Sequence, residues 1–142
     1  MKLSLLTTFF ELDLASRNLD FGTMQISIID DQPIRNLIAV NDTVYAGHWM
    51  SVFQYDQRES TIKSLSSEKY MAVNEDGKLL MVDTPQPGFV IGDAVGWNDQ
   101  GRLAYNGVRR FYVCDDDSVQ YKGNCEGAQT ISIFYKPLEV PE

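Results

Sequence analysis

Short apolar runs with a period near two, each closed by turn residues, recur from Phe21 onward, and no stretch carries a convincing helical period of 3.6. Such alternation puts every second side chain on one face of an extended strand, so the sequence predicts an all-β protein. The predicted strands are Thr23–Ile29, Leu37–Val40, Thr43–Ala46, Met50–Tyr55, Ser60–Leu65, Tyr70–Val73, Leu79–Asp83, Phe89–Ile91, Ala94–Asn98, Leu103–Tyr105, Val108–Cys114, Ser118–Tyr121 and Thr130–Tyr135. Turn signals fall roughly 8–12 residues apart, the spacing of sandwiches and small closed barrels. Asn74-Glu75-Asp76-Gly77 and Asn98-Asp99-Gln100-Gly101 each end in a glycine able to take positive φ, and Asn106-Gly107 is a two-residue hairpin signal. Pro85-Gln86-Pro87-Gly88 breaks the chain between two such modules.

Three turns share a pattern. Ala39-Val40-Asn41-Asp42, Ala72-Val73-Asn74-Glu75-Asp76-Gly77-Lys78-Leu79 and Val95-Gly96-Trp97-Asn98-Asp99-Gln100-Gly101-Arg102-Leu103 each place an apolar residue before a polar turn, and the last two continue Gly-x-Leu. Three related hairpins, spaced about 33 and then about 24 residues apart, predict a β-trefoil-like closed barrel of approximate symmetry, with a β-sandwich as the alternative.

A chain of 142 residues with 44% hydrophobic content is the right size for one core, expected over residues 21–135. Residues 136–142, with Pro137 and Pro141, read as a flexible tail unable to continue a central strand. Residues 1–16 begin as a secretory signal does, with Lys2 before an apolar run, but Glu11 and Asp13 interrupt it; a short amphipathic first helix is the other reading, and with it a cytoplasmic location. No run approaches the ~20 apolar residues of a membrane span. The net charge of −8, with no basic stripe, argues against a nucleic-acid partner.

Cys114 and Cys125 are the only cysteines. Their closeness in sequence suits a disulfide across neighbouring strands, with buried thiols as the alternative, and a bridge would mark an oxidising compartment. A metal site needs further ligands, and His48 is the one histidine, so neither metal nor cofactor is expected. Asp115-Asp116-Asp117 reads as a solvated turn, with oxygen ligation of Ca²⁺ as the less favoured reading. Asn41-Asp42-Thr43 is an N-glycosylation acceptor lying in a polar turn.

No Gly-rich phosphate loop, zinc-protease motif or nucleophile elbow occurs, and His48 beside Ser51 is nearness in sequence without triad geometry, so a non-enzyme is expected. Flat aromatic faces cover the C–H face of a pyranose, which makes Trp49 and Tyr45 the candidate carbohydrate contacts; Trp97, mid-strand beside Gly96, is expected in the core.

The segment Gly96-Trp97-Asn98-Asp99-Gln100-Gly101-Arg102-Leu103-Ala104-Tyr105, running into Phe111-Tyr112-Val113-Cys114, then Gln120-Tyr121, Cys125 and a final strand Ile131-Ser132-Ile133-Phe134, resembles a known pattern. It is similar to the C-terminal domain of fungal Pir-type cell-wall mannoproteins and the related phialide-development cell-wall proteins. With Tyr70–Leu79 matching the earlier part, the likeness runs from Phe21 to Tyr135. The Gln-containing repeats through which Pir proteins are coupled to glucan have no counterpart in these residues. The resemblance implies an exported, glycosylated, non-enzymatic component of a fungal cell wall, with wall polysaccharide or glycoprotein as partner. A lectin-like carbohydrate-binding module and an intracellular β-barrel interaction protein are the alternative functions.

Overall fold

The alternating runs become twelve strands in the computed structural model, which describes residues 19–28, 35–92 and 101–138; no helix occurs among the described residues. They are β1 (Leu19–Ile28), β2 (Arg35–Val40), β3 (Thr43–Gly47), β4 (Phe53–Asp56), β5 (Thr61–Ser64), β6 (Tyr70–Val73), β7 (Leu79–Val82), β8 (Phe89–Ile91), β9 (Gly101–Tyr105), β10 (Phe111–Val113), β11 (Val119–Gln120) and β12 (Gln129–Pro137). The predicted Ala94–Asn98 strand, Trp97 and the segment 1–16 lie outside the described residues.

Seven strands close into an antiparallel barrel in the order β1-β2-β3-β7-β6-β5-β4, with β4 returning to β1. The closure replaces the sandwich alternative, and it is achieved by dividing β1. Its first half pairs with β4 from Leu19↔Asp56 to Gly22↔Phe53, while Gln25 and Ile26 pair with β2. Along its other edge β1 carries β12 in seven consecutive pairs, from Gly22↔Pro137 to Ile28↔Ile131. β12 in turn holds β9 and β10; β9 pairs with β8, and the Phe89 amide donates to the Ser60 carbonyl beside β5 at 3.1 Å. A second circuit therefore runs β1-β4-β5-β8-β9-β12.

The hairpin returns β3, β7 and β11 meet in a cyclic arrangement. Thr43 faces Leu80, Lys78 faces Gln120 and Ser118 faces Tyr45. The carbonyls of Asp42, Gly77 and Asp117 accept from the amides of Met81, Tyr121 and Ala46, at 3.0, 2.6 and 2.8 Å. Val44, Leu79 and Val119 follow those contact residues in the three hairpins, and all are fully buried.

The first two turns of the expected repeat occupy this arrangement. The third place belongs to Phe111–Gln120, not to the expected Val95–Leu103, of which the described part, Gly101–Leu103, opens β9. The reason is visible in the turns. The Asn74 amide donates to Lys78 and the Gly77 amide to Asn74; the Cys114 amide likewise donates to Ser118 and the Asp117 amide to Cys114. Gly77 takes φ 90°, and Asp117 takes φ 68° without being glycine, so a search for Gly-x-Leu passes it by.

The inward positions of the alternation build one core, in which Met24, Ile26, Leu37, Phe53, Ile62, Met71, Phe89, Leu103, Phe111, Ile131 and Ile133 are fully buried. Each such side chain stabilises by roughly 1.5–3 kcal/mol. Several predicted strands shorten, two of them by three residues at the start: β4 begins only at Phe53, leaving Trp49 and Met50 in a loop, and β10 begins only at Phe111, leaving Arg109 and Arg110 exposed. The expected tail over 136–142 is corrected in its first three residues, while 139–142 lie outside the described residues. Lys136 and Pro137 continue β12 opposite Thr23 and Gly22, and the Leu138 amide donates to the Phe21 carbonyl at 2.8 Å. Proline is tolerated there because Gly22 and Pro137 are a non-hydrogen-bonded pair of the antiparallel ladder, the bond being made by the Leu138 amide, so β1 does not call on the missing N–H.

Candidate functional site

Cys114 and Cys125 are joined in a disulfide with Cα atoms 5.8 Å apart. The bridge ties the residue after β10 to the loop between β11 and β12, so it fastens a turn to a connection and does not span two facing strand positions. Its sequence separation of 11 residues corresponds to roughly 2–3 kcal/mol of loop-closure stabilisation.

Each carboxylate of Asp115-Asp116-Asp117 has its own surroundings. Asp117 pairs with Arg35 at 2.8 Å. Asp116 Oδ1 accepts from the Ser118 hydroxyl at 2.6 Å and the Ser118 amide at 3.0 Å, and these bonds hold its pKa below the usual carboxylate value. The Ser118 amide is thereby served as Asn74 Oδ1 serves the Lys78 amide at 2.9 Å in the equivalent turn. Asp115, Asp116 and Glu126 line a shallow depression beside the disulfide that also holds Lys78, and no group of three metal-ligating side chains occurs among the described residues.

The sequence candidates for sugar contact stand apart. Trp49 is 80% exposed with Met50 and His48 in the loop after β3, whereas Tyr45 is half-buried on β3 itself. Neither ring packs against the other. The Ser51 hydroxyl accepts the Ala39 amide at 3.0 Å, and no hydrogen bond joins Ser51 to His48. Asn41 is exposed in a tight two-residue turn with φ 49°, followed by Asp42 at φ 67°. Asp42 also holds Lys69 at 2.7 Å.

A site absent from the sequence candidates lies on the outer face of β4, β5 and β6. Phe53, Tyr55, Ile62 and Met71 turn inward, which turns Gln54, Asp56, Lys63 and Tyr70 outward. Register then aligns them: Gln54 opposes Lys63 and Lys63 opposes Tyr70, while Asp56 opposes Thr61 one step along. With Glu59, these side chains line a depression of about 290 Å³. The Lys63 ammonium sits 5.8 Å from the Tyr70 ring centroid, within cation–π range. Asp56 Oδ1 accepts the amides of Arg58 and Glu59 at 3.0 and 3.1 Å, fixing that carboxylate at the groove's end.

No family model, curated protein or solved structure matches this chain.

In the groove on β4, β5 and β6, amide, carboxylate, hydroxyl and ammonium groups supply both donors and acceptors beside one aromatic ring. Its members were individually visible as the polar positions of predicted strands. Nothing in the sequence gave the cross-strand register that gathers them.

Proposed function

We propose that this chain is a non-enzymatic, exported component of a fungal cell wall, a β-trefoil body that associates with wall polysaccharide or glycoprotein through the groove on β4, β5 and β6. The row Gln54–Lys63–Tyr70 carries the reading, because a flat ring flanked by donors and acceptors matches a pyranose with its apolar C–H face and its rim of hydroxyls. The cyclic contacts among β3, β7 and β11, together with the circuit β1-β4-β5-β8-β9-β12, support the trefoil. The disulfide supports an oxidising exterior. The exposed Asn41 turn supports a glycan there, and the likeness to Pir-type proteins supports the wall.

Sedimentation with insoluble β-glucan and mannan tests the proposal. The protein is expected in the pellet, and Tyr70→Ala is expected to lower retention about five-fold with thermal unfolding unchanged, the size of an aromatic contact of ~1 kcal/mol. Retention on neither polymer, or equal retention of Tyr70→Ala, overturns the groove. A loss confined to Trp49→Ala moves the contact to the loop after β3. Release by free oligosaccharide identifies a lectin-like hold; resistance identifies lasting incorporation. Intact mass of the native protein reports a glycan on Asn41 and cleavage of residues 1–16.

A further inference from the structure

Three of the chain's six arginines, Arg102, Arg109 and Arg110, line one depression of about 560 Å³ with Tyr112 and Tyr121. Among the described residues no aspartate or glutamate lines it, although acidic side chains outnumber basic ones 20 to 12 in the sequence. The gathering has a local cause. Asn106 and Gly107 take φ 50° and 84°, and Tyr105 and Val108 exchange hydrogen bonds at 2.9 and 3.0 Å, so the chain reverses after β9 and carries Arg109 and Arg110 back to the depression that Arg102 lines.

The arginines are unspent. Among the described residues Arg102 Nε is buried with no hydrogen-bond partner, and none of the three guanidinium groups forms an ion pair or hydrogen bond. Burying a charged donor without a partner is costly, so a site that keeps one is suited to an incoming acceptor. The rings, by contrast, are fixed. Tyr121 donates its hydroxyl to the Tyr105 carbonyl at 3.2 Å and meets the Tyr105 ring edge-on at 5.0 Å. Tyr112 lies against Gly123, where an added Cβ would come within 2.7 Å of the ring.

We infer that this depression binds an anionic polysaccharide, one whose sugars carry sulfate, phosphate or carboxylate groups. Guanidinium forks match such oxyanions, often two bonds at a time. The depression is far larger than a lone oxyanion requires, and its two fixed rings offer faces for the sugar that bears the charge. A long nucleic acid is disfavoured, since the chain's net charge of −8, which already counts these three arginines, repels an extended polyanion. The inference goes beyond the neutral-sugar groove and does not depend on it. Arg110 stands four residues before Cys114 as Tyr70 stands four before Asn74, so corresponding places on two equivalent hairpins carry opposite specialisations.

Calorimetric titration tests it, with a heparin-derived hexasaccharide, an oligogalacturonate of the same length, a neutral hexasaccharide and sodium sulfate as probes. At low salt, one molecule of the sulfated or the uronate oligomer is expected to bind per chain, more weakly as salt rises. Sodium sulfate should bind at least about ten-fold more weakly than the better oligomer, and the better oligomer names the anion source. The double variant Arg109→Gln/Arg110→Gln, at two exposed positions, should lower affinity at least about ten-fold with thermal unfolding unchanged, while Lys136→Gln binds as the parent does. Tyr70→Ala should leave this binding intact, which separates failure here from failure of the groove. Absence of binding by both charged oligomers, unaltered binding by the double variant, or sulfate competing as well as the oligomers would overturn the inference.

Discussion

Tyr135 is only 3% exposed, and its hydroxyl has no hydrogen-bond partner. Burial foremost, and then the charge of Asp20, pushes its pKa far above the phenol's ordinary value. A raised pKa in the folded state means that the neutral phenol is the one the fold accommodates. Its contribution is therefore complete below the ordinary value of 10.0 and is lost as pH climbs beyond it. Tyr135→Phe removes an unsatisfied polar atom, so urea unfolding near neutral pH should show a stability unchanged or raised by ~1 kcal/mol. The same variant should flatten the alkaline loss above about pH 10. Diagonal to Tyr135 across the β1–β12 seam is a residue that tolerates no side chain: a Cβ on Gly22 would lie 2.5 Å from the Lys136 carbonyl oxygen and 2.6 Å from the Tyr135 ring. Gly22→Ala should cost ~1–3 kcal/mol by overpacking, measured by chemical denaturation.

Among the elements, the hairpins explain what was legible and what was not. β6 and β8 begin and end where alternation places them, at Tyr70–Val73 and Phe89–Ile91, because turn residues bound both. The third hairpin was hidden by its own chemistry. Where the second uses Asn74 and Gly77, the third uses Cys114 and Asp117, and its bonding is kept by Asp116 accepting the Ser118 amide. Cys114 leaves that pattern to join Cys125, and the hairpin so fastened has strands of only three and two residues. Short strands bury little on their own. The double variant Cys114→Ala/Cys125→Ala should therefore lose roughly 2–3 kcal/mol in equilibrium unfolding, with hydrogen exchange rising first at the amides of residues 111–120.

For the molecule as a whole, the all-β class followed from alternation and turn spacing, which are local signals, whereas the preference for a closed barrel over the sandwich rests on a turn repeat whose third member belongs to another segment. The groove on β4, β5 and β6 and the arginine depression did not follow from local signals, because each gathers residues by strand pairing, which local sequence does not encode. Arg102 and Arg110 are ordinary polar positions until the turn at Asn106-Gly107 brings them to one depression. The sequence also overstated the tail: Pro137 suggested fraying, yet seven consecutive pairs hold β12 to β1 as far as that residue.

That antiparallel seam, Gly22 opposite Pro137 and Phe21 bonded to Leu138, brings the first and last strands out of the fold side by side. Tension applied through both strands would open the seam like a zip, loading one rung at a time, whereas a tether at a single end would leave every rung unloaded. A body built this way withstands anchoring from one side and yields when stretched between two.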